Sequence, residues 1–192
     1  MADKIRVLLV EDDLDFVFLI KNMIEQDAAL DYLTHADNKA SGVALAGKLN
    51  PDIVLMDLNL SKSELDGIEA AREIRLTTDG RVILLTSFEQ PEIIINASKK
   101  ALASGYVFKS QCQTLTDTIR KTAASHTPEA QFIKELFLQD LSPAERQVLN
   151  MMLGGDTAIQ SSAKTVANQK TSIFKKLGLK NTNELIHILK NW

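Results

Sequence analysis

Five apolar runs of strand length punctuate the first 110 residues: "IRVLLV" (5–10), "DYLTHA" (31–36), "DIVLMD" (52–57), "RVILLTS" (81–87) and "GYVFK" (105–109). The gaps between them carry apolar residues at helical spacing. In "LDFVFLIKNMIEQ", Phe16, Leu19, Ile20, Met23 and Ile24 share one stripe, and "NKASGVALAGKL", "GIEAAREIRL", "EIIINASKKALAS" and "TLTDTIRKTAA" fill the later gaps. Strands that are apolar throughout and alternate with such helices belong to a parallel sheet covered on both faces. The pattern predicts a five-stranded, doubly wound α/β domain over residues 1–124.

After residue 124 the pattern changes. "SHTPEAQFIKELFLQD" spaces Phe132, Leu136 and Phe137 as a helix with no strand beside it, and reads as a linking helix over 125–140. Ser142, followed by Pro143 and by Glu145 three residues on, is a capping box with proline at the first helical position, and "GG" at 154–155 ends that helix. "KTVANQKTSIFKKLG" closes at Gly178, and "NTNELIHILKNW" opens on an Asn or Thr cap. Residues 141–192 therefore form a small all-helical domain.

Composition narrows the setting. The 192 residues are 45% hydrophobic and 24% charged, with a formal net charge of -3, as in ordinary globular chains. The lone cysteine, Cys112, excludes an internal disulfide framework and a cysteine-based zinc site. The N-terminal apolar run is too short for a secretory signal, and no run reaches the ~20 residues that span a bilayer. The expectation is a cytoplasmic protein without a membrane partner. Charge is uneven: residues 1–125 hold 14 basic and 19 acidic side chains, whereas 126–192 hold 8 and 6. Five lysines and no acid fall within 164–180.

The acids of "VEDDLD" sharpen the picture, because Glu11, Asp12, Asp13 and Asp15 crowd together at the end of the first strand. Two like charges a few Å apart cost ~4 kcal/mol at an effective dielectric near 20. They must spread into water or be neutralised by a cation. Ligands of open parallel sheets gather at the carboxyl ends of the strands. There the sequence places Glu11 and Asp12, then Asp57, then Thr86 with Ser87, then Lys109. Several carboxylates on one rim suit Mg²⁺, which prefers hard oxygen ligands.

"LLVEDD", "DIVLMDLNL", "DG" at 66–67, "ILLTS" and "GYVFKS" together resemble the receiver domain of two-component response regulators, which has a flavodoxin-like sheet. The resemblance implies that Asp57 accepts a phosphoryl group from a histidine kinase. It implies that Glu11, Asp12, Asp57 and the main-chain carbonyl of Asn59 hold Mg²⁺. Thr86 and Lys109 would contact phosphoryl oxygens, and Tyr106 would be the switch aromatic. The implied protein is a regulator rather than an enzyme. Independently, phosphoryl transfer asks for an in-line nucleophile and neutralised equatorial oxygens, which this residue set supplies. The segment "LNLSKSELDG" departs from the family, having no proline and about two extra residues. A phosphatase of the haloacid dehalogenase type would need an acid two residues after its nucleophile, where Asn59 stands. An acidic rim argues equally against a flavin phosphate.

"LSPAERQVLNMMLGG" and "KTVANQKTSIFKKLGLKNTNELI" resemble the helix-turn-helix output domain of the NarL/LuxR class. By that resemblance Val166, Ile173 and Leu177 form the buried face of the recognition helix, and the DNA contacts would be Lys164, Thr165, Asn168, Lys170, Thr171 and Lys175. Between Gly155 and Thr165 this chain has only "DTAIQSSAK", so most of the scaffold helix is expected to be missing. Lys170 also stands where the family has an aliphatic residue. The implied function is phosphorylation-regulated transcription through a homodimer on DNA. The alternative is a degenerate output domain that acts by protein–protein interaction or as a phosphate sink.

Overall fold

The computed structural model describes residues 3–60, 64–88, 90–124, 127–155 and 162–192. The chain divides into two compact units, the first running to Lys134 and the second over Glu135–Asn191.

In the first unit β1 (Ile5–Val10), β2 (Leu30–Ala36), β3 (Ile53–Asp57), β4 (Arg81–Thr86) and β5 (Gly105–Phe108) form one parallel sheet. Their order is β2-β1-β3-β4-β5. Helices α1 (Leu14–Glu25), α2 (Lys39–Leu49), α3 (Glu64–Thr77) and α4 (Pro91–Ala101) make the crossovers, and α5 (Leu115–Ala124) follows β5 after a 3-10 segment, Lys109–Thr114. Period-two alternation sends Val7, Leu9, Ile53, Leu55, Ile83, Leu85 and Val107 to the face covered by Val17, Ile20 and Ile24 of α1 and by Leu115 and Ile119 of α5. The opposite residues, among them Leu8, Val10, Val54, Met56, Val82 and Leu84, are equally buried. This two-sided burial is why the inner strands β1, β3 and β4 read as nearly unbroken apolar runs.

The α1 stripe differs from the one the sequence suggests. Val17 is buried with Ile20 and Ile24, while Leu19 is exposed and Phe16 is only half-buried. The run "FVFLI" offers two candidate stripes, and the one centred on Ile20 meets the sheet. Asp13 caps this helix, its Oδ1 accepting from the Asp15 and Phe16 amides at 3.0 and 3.2 Å.

The linking helix is α6 (Pro128–Leu138), and the boundary between the units falls within it. Its buried residues are Ala130, Ile133, Phe137 and Leu138, whereas Phe132 is exposed. The second unit continues with α7 (Pro143–Met152), α8 (Ala163–Leu177) and α9 (Thr182–Lys190). Val148, Leu149, Ile173, Leu177, Leu185, Ile188 and Leu189 supply buried residues. The Ser142–Glu145 capping box opens α7 as expected, and Asn181 is the cap of α9. Gly178 ends α8 at φ 64°, a left-handed geometry that glycine adopts without strain. The missing scaffold helix concerns a segment of which 156–161 lie outside the described residues. Among the described residues no helix is long and apolar enough to cross a membrane.

Candidate functional site: an acidic pocket at the end of the sheet

The pocket follows from strand order. β1 and β3 are neighbours, but the chain leaves β1 toward β2 on one side and leaves β3 toward β4 on the other. The departing connections diverge and open a crevice beyond the strand ends. Glu11 directly follows β1 and Asp57 ends β3, so both side chains meet there, nearly fully buried. Asp12 is exposed, and ligand oxygens of Glu11, Asp12 and Asp57 all lie within 4.8 Å of one another.

The four acids of the opening cluster thus separate into two roles. Glu11 and Asp12 face the pocket. Asp13 caps α1 and Asp15 occupies its first turn, where the helix dipole favours an anion. The capping role is one the sequence reading missed, although an Asp immediately before the helical spacing is its usual signal.

Lys109 answers the repulsion from across the sheet. Its Nζ lies 2.6 Å from Glu11 Oε2 and 3.2 Å from Asp57 Oδ2. Burial pushes Glu11 up to about 7; the Lys109 ammonium and the Asp13 amide oppose this shift, and the charge on Asp57 adds to it. Burial alone would lower Lys109, but its two acidic partners outweigh it and hold the ammonium above its ordinary value. Lys109 is shared between two of the three carboxylates, Glu11 and Asp57. Asp57 Oδ1 is moreover buried with no hydrogen-bond partner among the described residues. An orphaned carboxylate oxygen among acids is what a bound cation or a phosphoryl group would use.

Neighbouring groups complete the rim. Thr86 ends β4, one step beyond Leu85, the register partner of Asp57. Its Oγ1 accepts the Phe88 amide at 3.0 Å, which leaves the hydroxyl proton free to be donated elsewhere. Asn59 lies in the turn after β3, and Leu58 ties that turn to β4 through its amide and Leu85 O at 3.2 Å. Tyr106 on β5 is 38% exposed, its ring edge-on to Phe108 with centroids 5.6 Å apart. Gly67, in the first turns of α3, is needed for space: a Cβ there would sit 2.2 Å from the Asp57 carbonyl oxygen. The extra residues of "LNLSKSELDG" fall largely on 61–63, outside the described residues.

One contact had no signal in the sequence. The Lys109 ammonium lies over the Phe16 ring, 4.6 Å from its centroid. Helical spacing had assigned Phe16 only to a core stripe.

In the second unit, Lys164, Thr165, Asn168, Thr171 and Lys175 are exposed on α8, while Lys170 is half-buried. Of the expected apolar face, Ile173 and Leu177 are buried and Val166 is only half-buried. Lys176 is committed elsewhere: its Nζ lies 2.7 Å from Glu145 Oε2 and 3.0 Å from Asp140 O. Ser172 donates to Glu145 Oε1 at 2.6 Å. Glu145 thereby joins the α7 cap to α8, and its carboxyl is held down to about 2, chiefly by Lys176 and then by Ser172.

Comparison with known proteins accords with this geometry. The response regulator receiver domain model matches residues 7–120. The transcriptional regulatory protein YdfI of Bacillus subtilis is 29% identical over 95% of this chain and 94% of its own length. A two-component response regulator of the LuxR family from Aurantimonas sp. SI85-9A1 superposes with a TM-score of 0.55 at 29% identity, covering 69% of this chain and 97% of that one. RcsB from Salmonella enterica serovar Typhimurium, solved on promoter rprA with phosphomimetic BeF3-, shares the fold at a TM-score of 0.57 and 22% identity, over 98% of this chain and 99% of that one. The site's carboxylates, its lysine and its glycine all lie inside the matched span, and the chain belongs to the response regulator receiver domain family.

Proposed function

We propose that this protein is a transcriptional response regulator of a two-component system, switched by phosphorylation of Asp57. The observation that carries the reading is the meeting of Glu11, Asp12 and Asp57 at the topological switch point, with the Lys109 ammonium paired to Glu11 and Asp57. An Asp57 carboxylate oxygen attacks the phosphorus of a phosphohistidine in a histidine kinase. The new P–O bond forms as the P–N bond breaks, and the electron pair of that bond stays on the ring nitrogen of an imidazole whose other nitrogen carries a proton, so the ring leaves neutral. Lys109 neutralises a phosphoryl oxygen, and the Thr86 hydroxyl donates to another. Glu11, Asp12, Asp57 and the main-chain carbonyl of Asn59 would hold Mg²⁺, which supplies further positive charge when bound. The donor set fits that ion, being hard oxygens with one buried carboxylate oxygen lacking a partner.

The acyl phosphate adds charge at the sheet's end. Thr86 drawn toward it vacates space that the exposed Tyr106 ring can enter, so the surface around α4 and α5 changes its partners. The full-length likeness to a transcriptional regulator supports output through DNA. Lys164, Thr165, Asn168, Lys170, Thr171 and Lys175 on α8 are the proposed contacts, lysines to phosphates and Asn168 to a base edge, in a homodimer. The protein works in the cytoplasm and turns over no substrate beyond its own phosphoryl group.

A second reading has one specific support. Only ten residues, 153–162, separate α7 from α8, which is short for a further scaffold helix. On that reading the second unit binds protein rather than DNA. Acetyl-phosphate labelling in the presence of magnesium tests the first step: wild type incorporates label and Asp57→Asn does not. An electrophoretic shift on random duplex at low salt then separates the outputs. Absence of binding at micromolar protein, with and without beryllofluoride, removes the DNA reading.

A further inference from the structure

We infer that Phe16 is a positioning residue for phosphoryl transfer, its ring holding the Lys109 ammonium at the pocket mouth by a cation–π contact. The inference rests on the reading of Asp57 as phosphoryl acceptor.

Lys109 reaches the acids from the far side of the sheet on a flexible four-carbon stem. Two ion pairs, to Glu11 at 2.6 Å and Asp57 at 3.2 Å, hold it in place. Both partners are the groups whose charge is spent when the pocket is at work. Asp57 becomes an acyl phosphate, and Glu11 would turn to any cation bound there. A lysine held only by those two would have to exchange both carboxylates for a phosphoryl oxygen with nothing else to fix its stem.

The Phe16 ring is the exception. It lies 4.6 Å from Nζ, within the range where an aromatic face attracts an ammonium. It accepts no conventional hydrogen bond, so all three N–H donors of Lys109 remain available to oxygen. It carries no charge, so neither phosphorylation nor a bound cation cancels its attraction. Its position is also fixed. The Asp13 carboxylate caps the Phe16 amide at 3.2 Å, and the side chain packs half-buried against the core. The same acidic run therefore supplies the metal-facing acids and, through Asp13, sets the ring that holds the lysine.

The test separates ring electrons from ring shape. Mono-, di- and trifluorophenylalanine at position 16 preserve volume and apolarity while progressively weakening the negative π face. The phosphorylation rate of the full chain with acetyl phosphate and magnesium is expected to fall stepwise along the series. Phe16→Leu should slow it about three- to tenfold, and Phe16→Tyr should retain it within roughly twofold. Melting temperature should stay flat across the fluorinated series, which a purely structural role would not combine with a falling rate. If the fluorinated proteins label at the wild-type rate while Asp57→Asn labels not at all, the ring acts by shape alone and the inference is overturned, with the acceptor reading intact. If rate follows melting temperature, it is overturned equally. If wild type takes no label, the acceptor reading itself fails and the inference goes with it.

Discussion

The backbone of Gly67 lies against that of Asp57 so closely that a Cβ at position 67 would stand 2.2 Å from the Asp57 carbonyl oxygen and 2.9 Å from Leu58 Cα. Both obstacles are main chain, so neither can rotate aside. Gly67→Ala must push the start of α3 off the end of β3, at a cost of about 1–3 kcal/mol. The displacement falls on Asp57, the proposed acceptor. Expected outcomes are a lower melting temperature and slower acetyl-phosphate labelling, both measured on the purified chain.

Asp57→Asn should have the opposite effect on stability while abolishing labelling. Lys109 now serves two buried carboxylates, and removing one leaves a balanced pair with Glu11. A gain of about 1 kcal/mol in the absence of magnesium is expected. Magnesium should raise the melting temperature of wild type, since at ten times its dissociation constant a ligand adds ~1.4 kcal/mol. The Asn variant should respond much less. Thermal melts with magnesium and with a chelator read all four states.

Glu145 sets a pH dependence for the second unit. Its carboxyl is held at about 2, below its ordinary 4.5, so the unfolded chain binds that proton more readily. The contribution is complete above about pH 4.5 and is lost as pH falls toward 2. Glu145→Gln should lower the protection of α8 amides at neutral pH. The difference from wild type should shrink as pH drops through that window. Amide hydrogen exchange followed across pH checks both points.

The lysines of α8 are expected to divide. Lys164 and Lys175 are exposed on the proposed DNA face, whereas Lys176 is tied to Glu145 and Asp140. Replacing Lys164 and Lys175 with alanine should flatten the salt dependence of duplex binding by ~0.9 log units per lysine. Lys176→Ala should leave that slope unchanged and instead lower the stability of the second unit. Binding titrations over a series of salt concentrations distinguish the two.

The sheet was legible because its inner strands are buried on both faces, so the apolar runs marked β1, β3 and β4 within a residue or so. The pocket was legible for a related reason: each polar residue that mattered terminates such a run. What lay beyond reach depended on rotation or distance. Periodicity alone did not decide whether Val17 or Leu19 faces the sheet, nor that Ile133 rather than Phe132 is buried, because apolar residues sit side by side at both places. The Phe16–Lys109 contact joins residues 93 positions apart, with nothing local to announce it. The Glu145 network spans α7 and α8, although its capping half was visible as Ser142-x-x-Glu145.

The order β2-β1-β3-β4-β5 also has a consequence for synthesis. Glu11 and Asp57 are translated long before Lys109, the cation that balances them. Until β5 is made, Glu11 and Asp57 at the ends of β1 and β3 lack the lysine that pairs with both. Lys109 arrives only at the end of the fifth strand, so the proposed phosphoryl pocket is completed last, together with the finished sheet.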